Sequence, residues 1–236
     1  MTPLVVHPDR SLILPPRLFG SVGYYALMAR YGHVTVDTSM RYDKRHKAVH
    51  RYDIVDTRGP VTLTVPLAKP HGTAHPTWAD AAVSTHDQWW HQHRVTLESA
   101  YGRTPYFEFL IDRFAPLIAD PSGTSPWPSA LGLAGKADAI VREFLGFDNC
   151  VKWQAADQSG SALDLRHASF DVPSMPHYRQ LRSAKLGFIP DLSILDIIFN
   201  LGPESVFFLK RLGDFIQQSS CKPRPQNPPG SPAGQS

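Results

Sequence analysis

The densest run of chemistry-bearing side chains is His86-Asp87-Gln88-Trp89-Trp90-His91-Gln92-His93, followed by Ser99, Tyr101, Pro105, Tyr106 and Phe107. On a helix Trp90, His93 and Leu97 share a face, and Tyr101 continues it one turn later. His93 in such an aromatic wall is a candidate general base toward an amine or hydroxyl, because an imidazole with its ordinary pKa of about 6.5 is largely neutral near pH 7. The competing reading is packing, with Trp90 and Tyr101 in the core and His93 satisfying one buried hydrogen bond. A metal site built from His71, His75, His86, His91 and His93 is not expected. Helix neighbours two apart point about 200° away from each other, so His91 and His93 cannot hold one ion, and the spacing is not that of H-E-x-x-H.

A second block, Arg41-Tyr42-Asp43-Lys44-Arg45-His46-Lys47-Ala48-Val49-His50-Arg51, sets five fixed cations against one carboxylate. It suits phosphate or pyrophosphate, arginine by paired hydrogen bonds and lysine as a point charge; the alternative is a solvated basic loop. No glycine-rich phosphate loop or G-x-S-x-G elbow accompanies it. A third set comprises Asp164 and Arg166, then Asp191, Ser193, Asp196 and Asn200. Asp191 and Ser193 mark the start of an apolar helix on which Asp196 and Asn200 share a face. A carboxylate inside that run needs a partner, and Arg166 is the candidate.

These blocks must be positioned by a mixture of strands and helices. Leu4–His7 reads as a strand, Arg17–Tyr31 as a helix, His33–Asp37 as an alternating strand, and Arg51–Asp56 with Val61–Leu67 as a hairpin turned by Thr57-Arg58-Gly59-Pro60. Helices follow at about Gln88–Tyr101, capped by Thr85 or Asp87, then Pro105–Leu117, Ser129–Leu145, Leu192–Asn200 and Pro203–Phe215, with Asp164–Pro176 irregular. The expected fold class is therefore α/β (mixed α+β): a strand-helix-hairpin part, then a mainly helical part, in a single compact domain over residues 1–217. Residues 218–236, rich in Pro, Gly and Ser, read as a disordered tail.

Acidic and basic residues nearly balance, giving a net charge of +3, so overall charge names no nucleic-acid partner. Two cysteines, Cys150 and Cys221, support neither a disulfide framework nor a Cys-rich zinc site and fit a cytoplasmic location. The N-terminal segment is broken by His7, Asp9 and Arg10 and does not read as an export signal; no apolar run of 18 residues suggests membrane insertion.

Taken in order, several pieces resemble the WbqC family of bacterial proteins. They are Tyr42-x-Lys44 with Arg51 and Ile54, Leu63–Pro66, Trp90-x-x-His93 with Ser99-Ala100-Tyr101-Gly102, Pro105 and Phe107, and Phe188–Asp196 running to Phe199-Asn200-x-Gly202-Pro203. The chain departs from the family pattern at Val49-His50-Arg51, where the family shows Arg-Asn-Arg, leaving Lys47 as the nearest replacement cation. The resemblance implies a transferase of polysaccharide (O-antigen, lipopolysaccharide) or related biosynthesis that forms an amide by moving a glycyl or similar acyl unit from an activated donor to an amino sugar or other small amine. Placed on that expectation, His93, Asp164 and Arg166 are the catalytic set. Tyr42, Lys44, Arg51, Trp90, Tyr101, Asp196 and Asn200 bind substrate. No cofactor or metal is expected. The partners are a small-molecule or carrier-bound acyl donor and an amine acceptor, with no nucleic acid beyond an aminoacyl-tRNA donor, and a second copy of the chain is a candidate partner for the tryptophan-bearing helix. A non-catalytic protein binding a carrier- or nucleotide-linked intermediate, and a metal-dependent hydrolase, are the alternatives.

Overall fold

The computed structural model describes residues 7–70, 72–119, 127, 129–147, 150–157, 162–168 and 175–220. The chain runs β1 (His7–Leu14), α1 (Val22–Arg30), β2 (Tyr31–Asp37), a hairpin β3 (Arg51–Val55) and β4 (Pro60–Thr64), α2 (Trp89–Tyr101), α3 (Phe107–Phe114), α4 (Ala130–Leu145), β5 (Cys150–Gln154), β6 (Leu163–Asp164), α5 (Ser183–Leu186), α6 (Ile194–Leu201) and α7 (Ser205–Ser220). Four strands form a parallel sheet in the order β5-β2-β1-β6. The mixed α/β class expected from the sequence is the one observed. The later part is less purely helical than expected, since β5 and β6 rejoin the first sheet.

β1 is central because both its faces are apolar: Leu12 and Leu14 are fully buried and Ile13 nearly so, the pattern of a strand covered on two sides. The strand begins at His7, where Leu4–His7 was expected to end; residues 1–6 lie outside the described residues. α1 starts at Val22, well after Arg17, because Phe19 takes a left-handed backbone (φ 43°) that interrupts helical hydrogen bonding and Ser21 caps the first turn by accepting from the Tyr24 amide. α7 packs closely on α1. A Cβ at Gly213 would stand 2.6 Å from the Ala26 carbonyl oxygen, so this contact needs glycine, and an Arg30–Asp214 ion pair seals its edge. On the other side of α1 the buried Asp138 of α4 accepts from the Tyr25 hydroxyl (3.0 Å), the Arg142 guanidinium (2.7 Å) and the Trp153 indole (2.8 Å), tying α1, α4 and β5 together.

α4 fits the expected span to within one residue, opened by Ser129, whose hydroxyl accepts from the Gly132 amide, and closed by left-handed Gly146. Ser129→Ala is expected to lower unfolding free energy by about 1 kcal/mol in urea titrations. The helix expected over Pro105–Leu117 is instead α3 followed by a tighter 3-10 turn, Ala115–Ile118. α7 reaches Ser220, past the expected boundary at 217; residues 221–236, most of the expected tail, lie outside the described residues, as do 169–174 of the expected irregular stretch. Among the described residues no helix is long and apolar enough to cross a membrane.

Candidate functional site

The strand order fixes where a site can form. From β1 the chain steps outward to β2 and β5, then returns to the opposite side of β1 with β6, so the direction reverses between β1 and β6. In open parallel sheets the loops diverge at the carboxyl ends beside such a reversal and leave a crevice there. Here the loops leaving β1, β2 and β6 line a cleft of about 370 Å³ whose polar wall is Arg17, Arg45, His46, Lys47, Arg166 and His167, four fixed cations with no carboxylate on the surface. A second hollow of about 300 Å³ adjoins it through His46, Arg166 and His167, and its far wall carries Asp37, Ser39, Arg41 and Asp43. A third, of about 60 Å³, joins the first at Arg17 and Ala48 and is lined by Arg51 and Asp191; the Arg51 Nε is buried with no hydrogen-bond partner among the described residues.

Arg166 is the fixed point of this cleft. Its Nη1 donates to Asp37 Oδ2 (2.7 Å) at the end of β2, and its Nε and Nη2 grip the Asp164 carboxylate (Nη2 to Oδ2, 2.7 Å) at the end of β6. Since β1 lies between those strands, the guanidinium spans the carboxyl end of β1. Burial alone would raise the Asp37 carboxyl, but donors from Ser39, Arg166 and the Ala156 amide outweigh it and hold it below the usual carboxylate range. The Arg166 hydrogen bonds likewise lower Asp164, and both partners raise the arginine. Arg45 is held by Asp43, whose carboxyl that bond lowers to about 2.

The N-terminus of α1, where the first β-α turn of a dinucleotide-binding sheet usually receives phosphate, is occupied from within. Asp191 Oδ1 accepts from the Gly23 amide (2.7 Å). Asp191 was expected to start its own helix. Ser193 does that instead, accepting from the Leu195 amide, while its backbone bridges to Ser21.

The sequence-predicted residues therefore separate into two groups. Asp164, Arg166 and the basic loop come together at the cleft. Within that loop Lys44 is exposed and lines none of the three hollows, Tyr42 packs on Trp78 with ring centres 4.8 Å apart, and Arg51 faces the smallest hollow.

The aromatic-histidine helix faces elsewhere. Its buried row is Trp89, His93, Leu97 and Tyr101, one position away from the expected Trp90 start; Trp89 can go inside because its indole donates to the Ser84 carbonyl (2.9 Å), and Trp90 is half-buried against it. His93 is 3% exposed. Its Nε2 lies 3.2 Å from the Thr64 carbonyl, which can only accept, so Nε2 carries the proton and Nδ1 accepts from the Tyr52 hydroxyl at 3.0 Å. Burial holds this imidazole down at about 4 against the opposing Thr64 bond. Its expected place in an open pocket with the basic loop is corrected to a closed one between α2 and the hairpin. Tyr101 is 1% exposed, its hydroxyl accepting from the Val55 amide (3.4 Å).

Asp196 is fully buried too, and its partners are Tyr178 (2.6 Å) and Gln180 (3.1 Å), not Arg166, which is committed to Asp37 and Asp164. Burial raises its carboxyl; the nearby Tyr178, Tyr101 and Gln180 oppose that, and Oδ1 finds no hydrogen-bond partner among the described residues. Asn200 accepts from the Leu181 amide and donates to the Asp196 carbonyl, a structural role inside the same network.

Arg17, Asp37, His46 and His167 were not singled out as site residues. Their signal is positional: each follows or ends a parallel strand, and the order of those strands is needed to see it. Among the described residues no three His, Cys, Asp or Glu side chains are grouped as metal ligands; His71 lies outside the described residues.

The model of the WbqC-like protein family matches residues 16–126, a stretch that contains Arg17, the whole basic loop, the hairpin, α2 and α3, and ends before Asp164 and Arg166. No curated protein and no solved structure matches the chain.

Proposed function

From the WbqC-like identity of residues 16–126, we propose that this protein is a transferase that forms an amide by moving a glycyl or similar acyl unit onto the amino group of a phosphate-linked small molecule, such as a nucleotide-linked amino sugar of O-antigen or lipopolysaccharide biosynthesis. The observation that carries the phosphate part of this reading is the cleft wall of Arg17, Arg45, Lys47 and Arg166, which bears no carboxylate on its surface. Among the described residues Lys47 takes part in no ion pair, whereas Arg166 is pinned to Asp37 and Asp164 and Arg45 pairs with Asp43 at the surface, so Lys47 supplies a mobile point charge and Arg166 a fixed one. Asp164 acts by holding Arg166 in place, not by touching substrate. The donor is an activated acyl compound, a thioester or an aminoacyl ester including aminoacyl-tRNA, and the reaction is placed in the cytoplasm. Direct attack by the amine needs no covalent enzyme intermediate.

The test is a titration of the purified protein with inorganic pyrophosphate by calorimetry, followed by mass-spectrometric detection of amide product from nucleotide-linked amino sugars and aminoacyl or thioester donors. Lys47→Ala is expected to weaken pyrophosphate about tenfold, the loss of one charge-assisted contact of roughly 1.5 kcal/mol, with unchanged unfolding. An unaltered affinity would remove the cleft from the proposal. Saturable binding without product from any donor would make the protein a carrier of the phosphorylated intermediate.

A further inference from the structure

We infer that the reacting centre of this cleft is the His46–His167 pair, an assignment that rests on the cleft reading above. The two imidazoles lie with ring centres 5.4 Å apart and planes tilted by 53°. Both line the cationic hollow and both line its neighbour, so they stand on the threshold between the two, where a ligand filling one hollow and reaching into the other must touch them. His167 is exposed and His46 half-buried, so both can be reached, in contrast to the enclosed His93.

The two residues are carried by different loops, His46 by the β2–β3 loop and His167 by the chain leaving β6. His46 follows the Asp43 turn, its amide donating to the Asp43 carbonyl at 2.9 Å, and sits one residue before the turn that carries Lys47. His167 follows Arg166, which is clamped to Asp37 and Asp164. The charged groups around the pair are Arg45, Lys47 and Asp43 on the β2–β3 loop, Arg41 and Asp37 on the β2 side, Arg17 after β1, and Arg166 and Asp164 from β6. The Ser39 hydroxyl, the nearest alternative in the second hollow, is already donated to Asp37 at 2.6 Å.

In the step assigned to this pair, the acceptor amine attacks the acyl carbonyl and a C–N bond forms. The bond from the acyl carbon to the thiolate or alkoxide leaving group breaks, one imidazole takes the proton lost from nitrogen, and a proton is returned to the leaving group. The neighbouring hollow, walled by Asp37, Ser39, Arg41 and Asp43, receives the part of the acceptor that carries the amine.

The experiment is histidine carbethoxylation of the full chain by diethyl pyrocarbonate, with modified peptides quantified by mass spectrometry, in the presence and absence of inorganic pyrophosphate. His46 and His167 are expected to react and to be protected about tenfold at ten times the dissociation constant, with the surface residue His91 unaffected and His93 unreactive throughout. His46→Gln and His167→Gln should lower amide formation by roughly a hundredfold or more while weakening pyrophosphate by less than the tenfold expected of Lys47→Ala. Binding of pyrophosphate without protection of either histidine overturns this inference and leaves the cleft reading standing. Absence of pyrophosphate binding overturns both.

Discussion

Arg166→Met is expected to destabilise the protein by about 3 kcal/mol and to abolish measurable pyrophosphate binding. Removing one partner of a buried ion pair leaves the other charge uncompensated, which costs roughly 3–5 kcal/mol. The low end applies because Asp37, 1% exposed, keeps the Ser39 and Ala156 donors. Methionine preserves the stem and so isolates the charge from the packing. The pH dependence has a definite sign. The Asp37 carboxyl is depressed in the folded state, so its contribution is complete above the ordinary carboxylate value and is lost as pH falls through the lower folded value. In Arg166→Met that acid-side loss should shrink. Urea unfolding at pH 7 and pH 3.5, wild type against variant, reads both effects; equal stabilities at pH 7 would show that the clamp is ornamental to the fold.

His93→Phe should cost about 3 kcal/mol at pH 7 and almost nothing at pH 4. The ring makes two hydrogen bonds, and phenylalanine strands the Tyr52 hydroxyl and the Thr64 carbonyl inside the joint between α2 and the hairpin. The wild-type advantage then disappears on acidification, because the folded value near 4 lies below the unfolded value near 6.5. A group with a depressed folded pKa of this basic kind is neutral in the native state. Its unfolded form gains a proton first, so stability is full above about pH 6.5 and falls, by on the order of 3 kcal/mol in total, down to about pH 4. The variant has no such slope. Pyrophosphate affinity of the folded variant should match wild type; a tenfold loss would mean that the imidazole reaches the cleft after all.

The local elements were legible where a run of residues carries its own period or its own cap. The alternation from His33 to Asp37 and Ser129 ahead of α4 each declare themselves within a dozen residues, whereas the first strand was expected at Leu4–His7 and its buried part, Leu12 to Leu14, lies beyond that span. β6 is two residues long, too short for any period to show, and β5, though as long as the hairpin strands, has no tight turn joining it to a partner strand; yet these two strands decide where the sheet reverses. The site inherits that gap. The basic loop is visible as a charge run, but Arg166 meets Asp37 across 129 positions, and nothing in the spacing of either residue announces the other. Asp196 shows the same division. Its need for partners followed from an apolar helix, whereas their identity, Tyr178 and Gln180, depended on how a loop folds back over that helix. The aromatic-histidine block was misleading for a physical reason: tryptophan and imidazole can both be buried when their N–H groups find carbonyls, and Ser84 and Thr64 supply those.

The Asp191 carboxylate on the Gly23 amide has a consequence for how the protein is made. It joins positions 168 residues apart, and the Ile194 amide bonded to the Gly20 carbonyl and the Ser193 amide bonded to the Asp53 carbonyl stitch the same distant segments. While the ribosome is still extending the chain, α1 lacks its carboxylate cap, β1 lacks its β6 neighbour, and the face of α1 that receives α7 is open. Loop closure over such separations is entropically slow, and a half-made sheet with bare edges is a template for association with other nascent chains. Synthesis must therefore pass Asp191 before the first helix is secured, so the early βαβ segment stays open for most of translation.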